Sequence, residues 1–229
     1  MRKWFEEFTD GLTSEQSQED LIPAGIASTS EAVAHYRYQH HVKIRDVVEE
    51  ALPKLKNNLG DSWSLHWEAF IAGGYRSPRS LDYFPDVFLE YLQKTNLSSD
   101  LKSLAQFERL LETYCWETPP LTPVSLSQLN AESCLELGAY RIVEFEASVI
   151  HLYQEWKGEA EQLSKNVLFW ALEDGTHFRV MEDWEVDALS LLPQGVGQAL
   201  VSAPDDEEAV AQFFNWLGRS CLIRNIRLS

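Results

Sequence analysis

The sequence predicts an α+β protein. An N-terminal helical domain spans residues 1–118, and a smaller α/β, winged-helix-like domain with a small antiparallel sheet follows over 128–229. Three observations carry this. Through the first half, apolar residues recur at three- and four-residue spacing, the period of a buried helix face. In the second half, Asp174-Gly175 separates two runs rich in branched and aromatic residues, the mark of a hairpin. Between the halves, Pro119, Pro120 and Pro123 cannot continue a helix, so 117–127 reads as a linker.

Ser28, with Glu31 three residues later, forms a capping box that opens the first helix. Val33, Tyr36, His40, Ile44, Val47 and Ala51 make its apolar stripe, and Pro53 ends or bends it. Asn57-Asn58-Leu59-Gly60 closes the next segment. Asp61 caps a helix presenting Trp63, Trp67, Phe70 and Ile71, which Gly73-Gly74 stops. Asp82 caps a helix with Phe84, Phe88 and Tyr91 on one face. Ser98 or Ser99 starts another, with Leu101, Leu104, Leu111 and Tyr114 inward.

In the second half, Leu135 to Phe145 alternates as a strand. Val149, Tyr153 and Trp156 suggest a short helix, and Val167–Leu172 and Thr176–Val180 form the hairpin. Asp183 opens a helix to Leu192. Asp205, Asp206, Glu207 and Glu208 open the last helix, where acids complement the helix dipole, and Gly218 closes it. Cys221 to Leu228 is the final strand.

The net charge of −17 on 229 residues constrains function most. Residues 1–115 hold 12 Lys/Arg against 18 Asp/Glu, or −6, and residues 116–229 hold 7 against 18, or −11. Binding a polyanion needs clustered cations, so this field argues against nucleic acid and favours a basic or apolar partner. No window is long and apolar enough to span a membrane. The first residues lack a secretory h-region, so the expected location is cytoplasmic. Cys115, Cys134 and Cys221 are scattered and form no zinc spacing.

Candidate chemistry is sparse. His40 and His41 are adjacent and point about 100° apart on a helix, which disfavours a shared metal. Glu144 and Glu146 read as a strand's polar face, and the acids at 205–208 as helix capping. No phosphate-binding or nucleophile motif occurs. What stands out is a row of Arg37, His41 and Arg45 at four-residue spacing beside the apolar stripe. It reads either as a basic interface strip or as cations paired with nearby acids such as Glu49.

Several segments occur in a telling order: Tyr36-Arg37, Leu52-Pro53, Leu59-Gly60, Ser80-Leu81, Phe84-Pro85 and Phe88-Leu89. Over about residues 29–118 this set resembles the HvfC, BufC and methanobactin-C family, first described as a DNA-binding domain. Val42-Lys43 stands where many members carry paired asparagines. The resemblance implies a subunit with no catalysis and no cofactor of its own. It implies a heterodimer with a TIM-barrel iron enzyme, which oxidises a cysteine of a ribosomally made precursor peptide. The leader of that peptide adds a strand to the second domain's sheet. On this basis Arg37, His41, Arg45, Arg76 and Arg79 are the expected partner interface. Leu222, Ile223, Arg224 and Ile226 are the expected peptide-binding residues. The alternative is a DNA-binding regulator with a winged-helix-like domain.

Overall fold

The first long helix ends where proline forbids its continuation. Helix α1 spans Ser30–Ala51, Leu52 leaves helical geometry (φ −129°, ψ 50°), and Pro53 opens α2 (Pro53–Leu59). At that first position a helix has no use for the missing N–H. These features come from a computed structural model that describes residues 30–75, 78, 80–113, 126, 129–154, 164–172 and 175–227, with backbone alone at 30–33 and 164. The protein has the mixed helix and sheet composition of an α+β fold with its helical elements first. It divides into two units, Met1–Arg109 and Leu110–Ser229. The expected Ser28–Glu31 capping box lies outside the described side chains, as does the expected linker apart from Leu126.

In the first unit, α3 (Ser62–Ala72), a 3-10 turn (Leu81–Tyr83), α4 (Phe84–Gln93) and α5 (Ser99–Thr113) follow. Their apolar faces meet in one core of Ile44, Val48, Leu52, Leu55, Trp63, Trp67, Phe70, Phe84, Phe88 and Leu92. Gly60 (φ 52°) and Gly74 (φ 66°) take the left-handed conformations that end α2 and α3. Two charged residues are buried with this core. Arg109 donates to both carboxylate oxygens of Asp86 at 2.7 Å each and to the Asp82 carbonyl at 2.9 Å, tying α5 to the start of α4. Glu108 accepts from the Lys54 and Leu55 backbone N–H groups at 2.6 and 2.8 Å.

Three local expectations are corrected here. Tyr36 does not join the core; it is 60% exposed. Further along the stripe His40 and Val47 are half-buried and Ile44 and Ala51 buried, and the His40 imidazole meets the edge of the Phe84 ring at 6.1 Å. Periodicity says which positions share a face, not how far a neighbour covers it. Tyr36→Ala should therefore shift stability by no more than about 0.5 kcal/mol in a denaturant titration. Asp61 occupies the cap position of α3 but makes no capping bond. Its backbone is already helical (φ −61°, ψ −27°), whereas a capping side chain reaches the free N–H groups from extended geometry. Asp82 sits in the 3-10 turn and accepts from the Ser80 hydroxyl at 2.9 Å; α4 begins after it, with Pro85 in its first turn.

In the second unit, the stretch expected as one strand divides at Gly138 into β1 (Cys134–Leu137) and β2 (Tyr140–Glu146). The reason is long-range: the Gly138 N–H donates to the Leu222 carbonyl at 2.6 Å, closing the first strand on the far end of the chain. Helix α6 (Ala147–Gln154) leads to the hairpin of β3 (Ser164–Leu172) and β4 (Gly175–Met181), and Trp156 lies outside the described residues. Gly175 has φ 136°, which an L side chain would resist. Strands β2, β3 and β4 form one antiparallel sheet in that order, pairing Tyr140 with Trp170 and Trp170 with His177.

Helix α7 (Asp183–Leu191) opens on a capping box in which Glu182 and Glu185 exchange backbone bonds. A short helix α8 (Val196–Ala199) and a 3-10 turn (Leu200–Ser202) come next, neither foreshadowed by periodicity. Helix α9 (Glu207–Arg219) is capped by Asp206, whose carboxylate accepts from the Glu208 and Ala209 N–H groups at 3.0 and 3.2 Å. Gly218 does not close it. The helix runs on to Arg219, and the positive φ that ends it falls on Cys221 (φ 57°). Gly218 instead lets Leu126 approach: a Cβ there would stand 3.0 Å from the leucine Cδ1. Strand β5 (Ile223–Arg227) ends the described chain. Among the described residues no helix is long and apolar enough to cross a membrane.

Candidate partner-docking surfaces

Strand β5 is built by what precedes it. Ser220 donates its hydroxyl to the Leu217 carbonyl at 2.8 Å and accepts from the Leu222 N–H at 3.2 Å, turning the chain out of α9. Leu222 and Ile223 are then buried with Leu135, Leu168, Leu192, Phe213 and Leu217. The register against β1 runs Cys134 to Arg227, Leu135 to Ile226 and Glu136 to Asn225, then slips so that Leu137 faces Ile223. Arg224 is left without a residue opposite, as in a β-bulge. That slip explains why Arg224 and Asn225 are both exposed and why Ile226 returns to the inner face. Alternation alone would have sent Asn225 inward. Outside, Arg227 pairs with Glu136 at 2.7 Å.

Among the described residues β5 pairs with β1 alone, in a two-stranded sheet. One strand edge therefore offers N–H and C=O groups that no described strand takes. All four expected peptide-binding residues lie on or beside it: Leu222 and Ile223 anchor the strand in the core, Arg224 faces water at the slip, and Ile226 is half-buried.

The expected interface row on α1 is divided. Arg45 donates to Glu49 at 2.7 Å, and Lys56 and Trp63 donate to the same carboxylate at 2.5 and 2.9 Å. Burial alone would raise the Glu49 carboxyl, but the donors Lys56, Arg45 and Trp63 outweigh it and hold it below its ordinary value. Arg45 thus serves the junction of α1, α2 and α3. Arg37 and His41 are half-buried, while Tyr36, Tyr38 and Val42 are exposed on the same helix. His40 is held below its ordinary pKa by burial and then by the nearby Lys43 charge, and its Nε2 has no hydrogen-bond partner among the described residues. Arg76 and Arg79 lie outside the described residues.

Sequence reasoning missed a third feature. Arg179 of β4 pairs with the buried Glu185 of α7 and lies 4.2 Å from the centre of the Trp216 ring of α9. One guanidinium thereby joins three elements, and Glu185 also accepts from the Glu182 N–H at 3.0 Å. Only the pairing of hairpin and helices in space reveals it. Trp184 is half-buried, with its ring edge-on to Phe213 at 5.3 Å. Among the described residues no group of three or more His, Cys, Asp or Glu is placed to hold a metal ion. Comparison with known proteins finds no family model and no curated protein that matches this chain.

Proposed function

We propose that this chain is a non-catalytic partner subunit that binds a TIM-barrel multi-iron oxidase and presents a ribosomally made precursor peptide to it. One observation carries the reading: the edge of the β1–β5 sheet that no described strand takes, with Arg224 exposed at the register slip. An extended peptide gains main-chain bonds on such an edge and side-chain selectivity from the residues beside it. The ordered motifs of the helical unit and the net charge of −17 support it further, since an anionic chain attracts a basic leader or a basic enzyme face. Such a subunit works in the cytoplasm, where precursor peptides are made.

The test is co-expression with a TIM-barrel multi-iron oxidase of the class the proposal names, followed by gel filtration. The expected result is a single complex eluting ahead of either component. Separate elution on mixing contradicts the proposal. The alternative, a DNA-binding regulator, requires a cationic recognition helix, yet α7 carries no Lys or Arg and α9 only Arg219. A salt-sensitive, sequence-specific mobility shift near physiological salt would replace the proposal with that alternative.

A further inference from the structure

A groove of about 670 Å³ lies along one face of α9 in the second unit. Val210, Ala211 and Phe214 line it from that helix, with Leu129 and Leu200 on its other walls. At one end it stops against Leu126, packed over Gly218. At the other end α9 begins. Glu207 lies three and four residues before Val210 and Ala211 and so shares their face. It is exposed, as are Asp205, Asp206 and Glu208. Leu200 and Val201 are 39% and 84% exposed in the turn that leads away from the groove.

We propose that this groove docks a short amphipathic helix of a partner protein, with apolar anchors on one face and Lys or Arg at the end that lies over Glu207. Three considerations select that occupant. The wall formed by α9 has its backbone bonded internally, and among the described residues the polar ones lining the groove are Asn215 and Arg219. An extended segment would find few partners for its own N–H and C=O groups there, whereas a helix satisfies its own. The face from Val210 to Gly218 is about 12 Å long at helical rise, enough for anchors at i, i+4 and i+7. The acids at the head of α9 complement a cationic end, and a second copy of this chain would bring another −17 against them. The site uses a helix face and not a strand edge, so it stands whether or not β5 accepts a peptide.

The experiment measures fluorescence anisotropy of a labelled synthetic peptide against the full chain. The probe carries leucines at i, i+4 and i+7 and a lysine-rich end; controls replace the lysines with glutamates or scramble the leucines. The lysine peptide should bind at least about ten-fold more tightly than either control. Ala211→Trp, which fills the groove from an exposed position, and Leu200→Ser should each weaken it by about ten-fold or more. Glu207→Lys should narrow the preference for the lysine peptide over the glutamate peptide, with Asp205, Asp206 and Glu208 keeping that end acidic. Thermal melts of each variant report folding, and if Ala211→Trp fails to fold, the other two carry the result. Equal binding of all three peptides, or binding indifferent to Leu200→Ser and Glu207→Lys, overturns the proposal. So does a dimer in sedimentation that Ala211→Trp or Leu200→Ser dissociates, which would make a second copy the occupant.

Discussion

Phe88→Ala should destabilise the protein by about 3–5 kcal/mol, the range for removing a fully buried phenylalanine. The ring is 0% exposed and lies at the centre of the first unit's aromatic core. Its centroid stands 5.4 Å from Trp63, 5.9 Å from Trp67, 5.2 Å from Phe70 and 5.8 Å from Tyr91. The first three belong to α3 and the last to its own helix, so the truncation opens a void that rigid rings cannot easily refill. A urea titration followed by tryptophan fluorescence reads the effect, because Trp63 and Trp67 flank the site. A loss under about 1 kcal/mol would mean that α3 and α4 do not pack as described.

Glu108 gives the second large effect, and its sign depends on pH. A helix leaves its first N–H groups unbonded, and Leu52, at the cap position of α2, has no side chain that can accept from them. Glu108 supplies the acceptor from α5, taking the Lys54 and Leu55 N–H groups from 53 or more residues away. Glu108→Ala leaves the buried Leu55 N–H and the part-buried Lys54 N–H without this acceptor, a cost of about 2–4 kcal/mol. Burial pushes the Glu108 carboxyl up to about 7, against the weaker opposing pull of the two N–H donors and the Lys54 charge. Because the folded value exceeds the ordinary 4.5, the folded state holds the proton more tightly than the unfolded chain. The associated stability is fully present below the unfolded value and is lost as pH rises through about 7. A shift of this size corresponds to roughly 3 kcal/mol.

Glu108→Gln keeps an acceptor oxygen and cannot ionise. The stability difference between native protein and this variant should therefore move by roughly 3 kcal/mol against the native protein as pH rises from about 5 to about 8. His40 acts in the opposite direction: with its pKa lowered, its contribution is lost as pH falls. Both chains share His40, so the difference isolates Glu108. A difference that stays flat across that range contradicts the buried carboxyl.

Much of the fold was legible because it is encoded locally. Pro53, the Ile44 and Ala51 positions, the β3–β4 hairpin and the Asp206 cap each follow from a residue and its neighbours within a few positions. The features that escaped are set by distant partners. Glu108 reads as an ordinary surface acid in the sequence, and its role appears only when α5 crosses the start of α2. The division between β1 and β2 depends on Leu222, more than eighty residues on. The candidate site shows the same boundary. A final strand was readable from composition, but the burial of Leu222 and Ile223 and the slip that turns Arg224 and Asn225 outward are properties of the packing and of the pairing with β1. Tyr36 looked buried because it shares a face with Ile44, yet it is exposed, since a shared face does not say how far a neighbour covers it.

The central claim, that this chain acts by accepting a peptide strand on β5, is tested most directly by hydrogen–deuterium exchange. The full chain is measured alone and with an unstructured, lysine-rich synthetic peptide, the kind of strand donor that an anionic chain favours. Strand addition predicts slowed exchange of the backbone amides of Ile223–Arg227. Unchanged exchange there, with the peptide bound elsewhere or not at all, contradicts it.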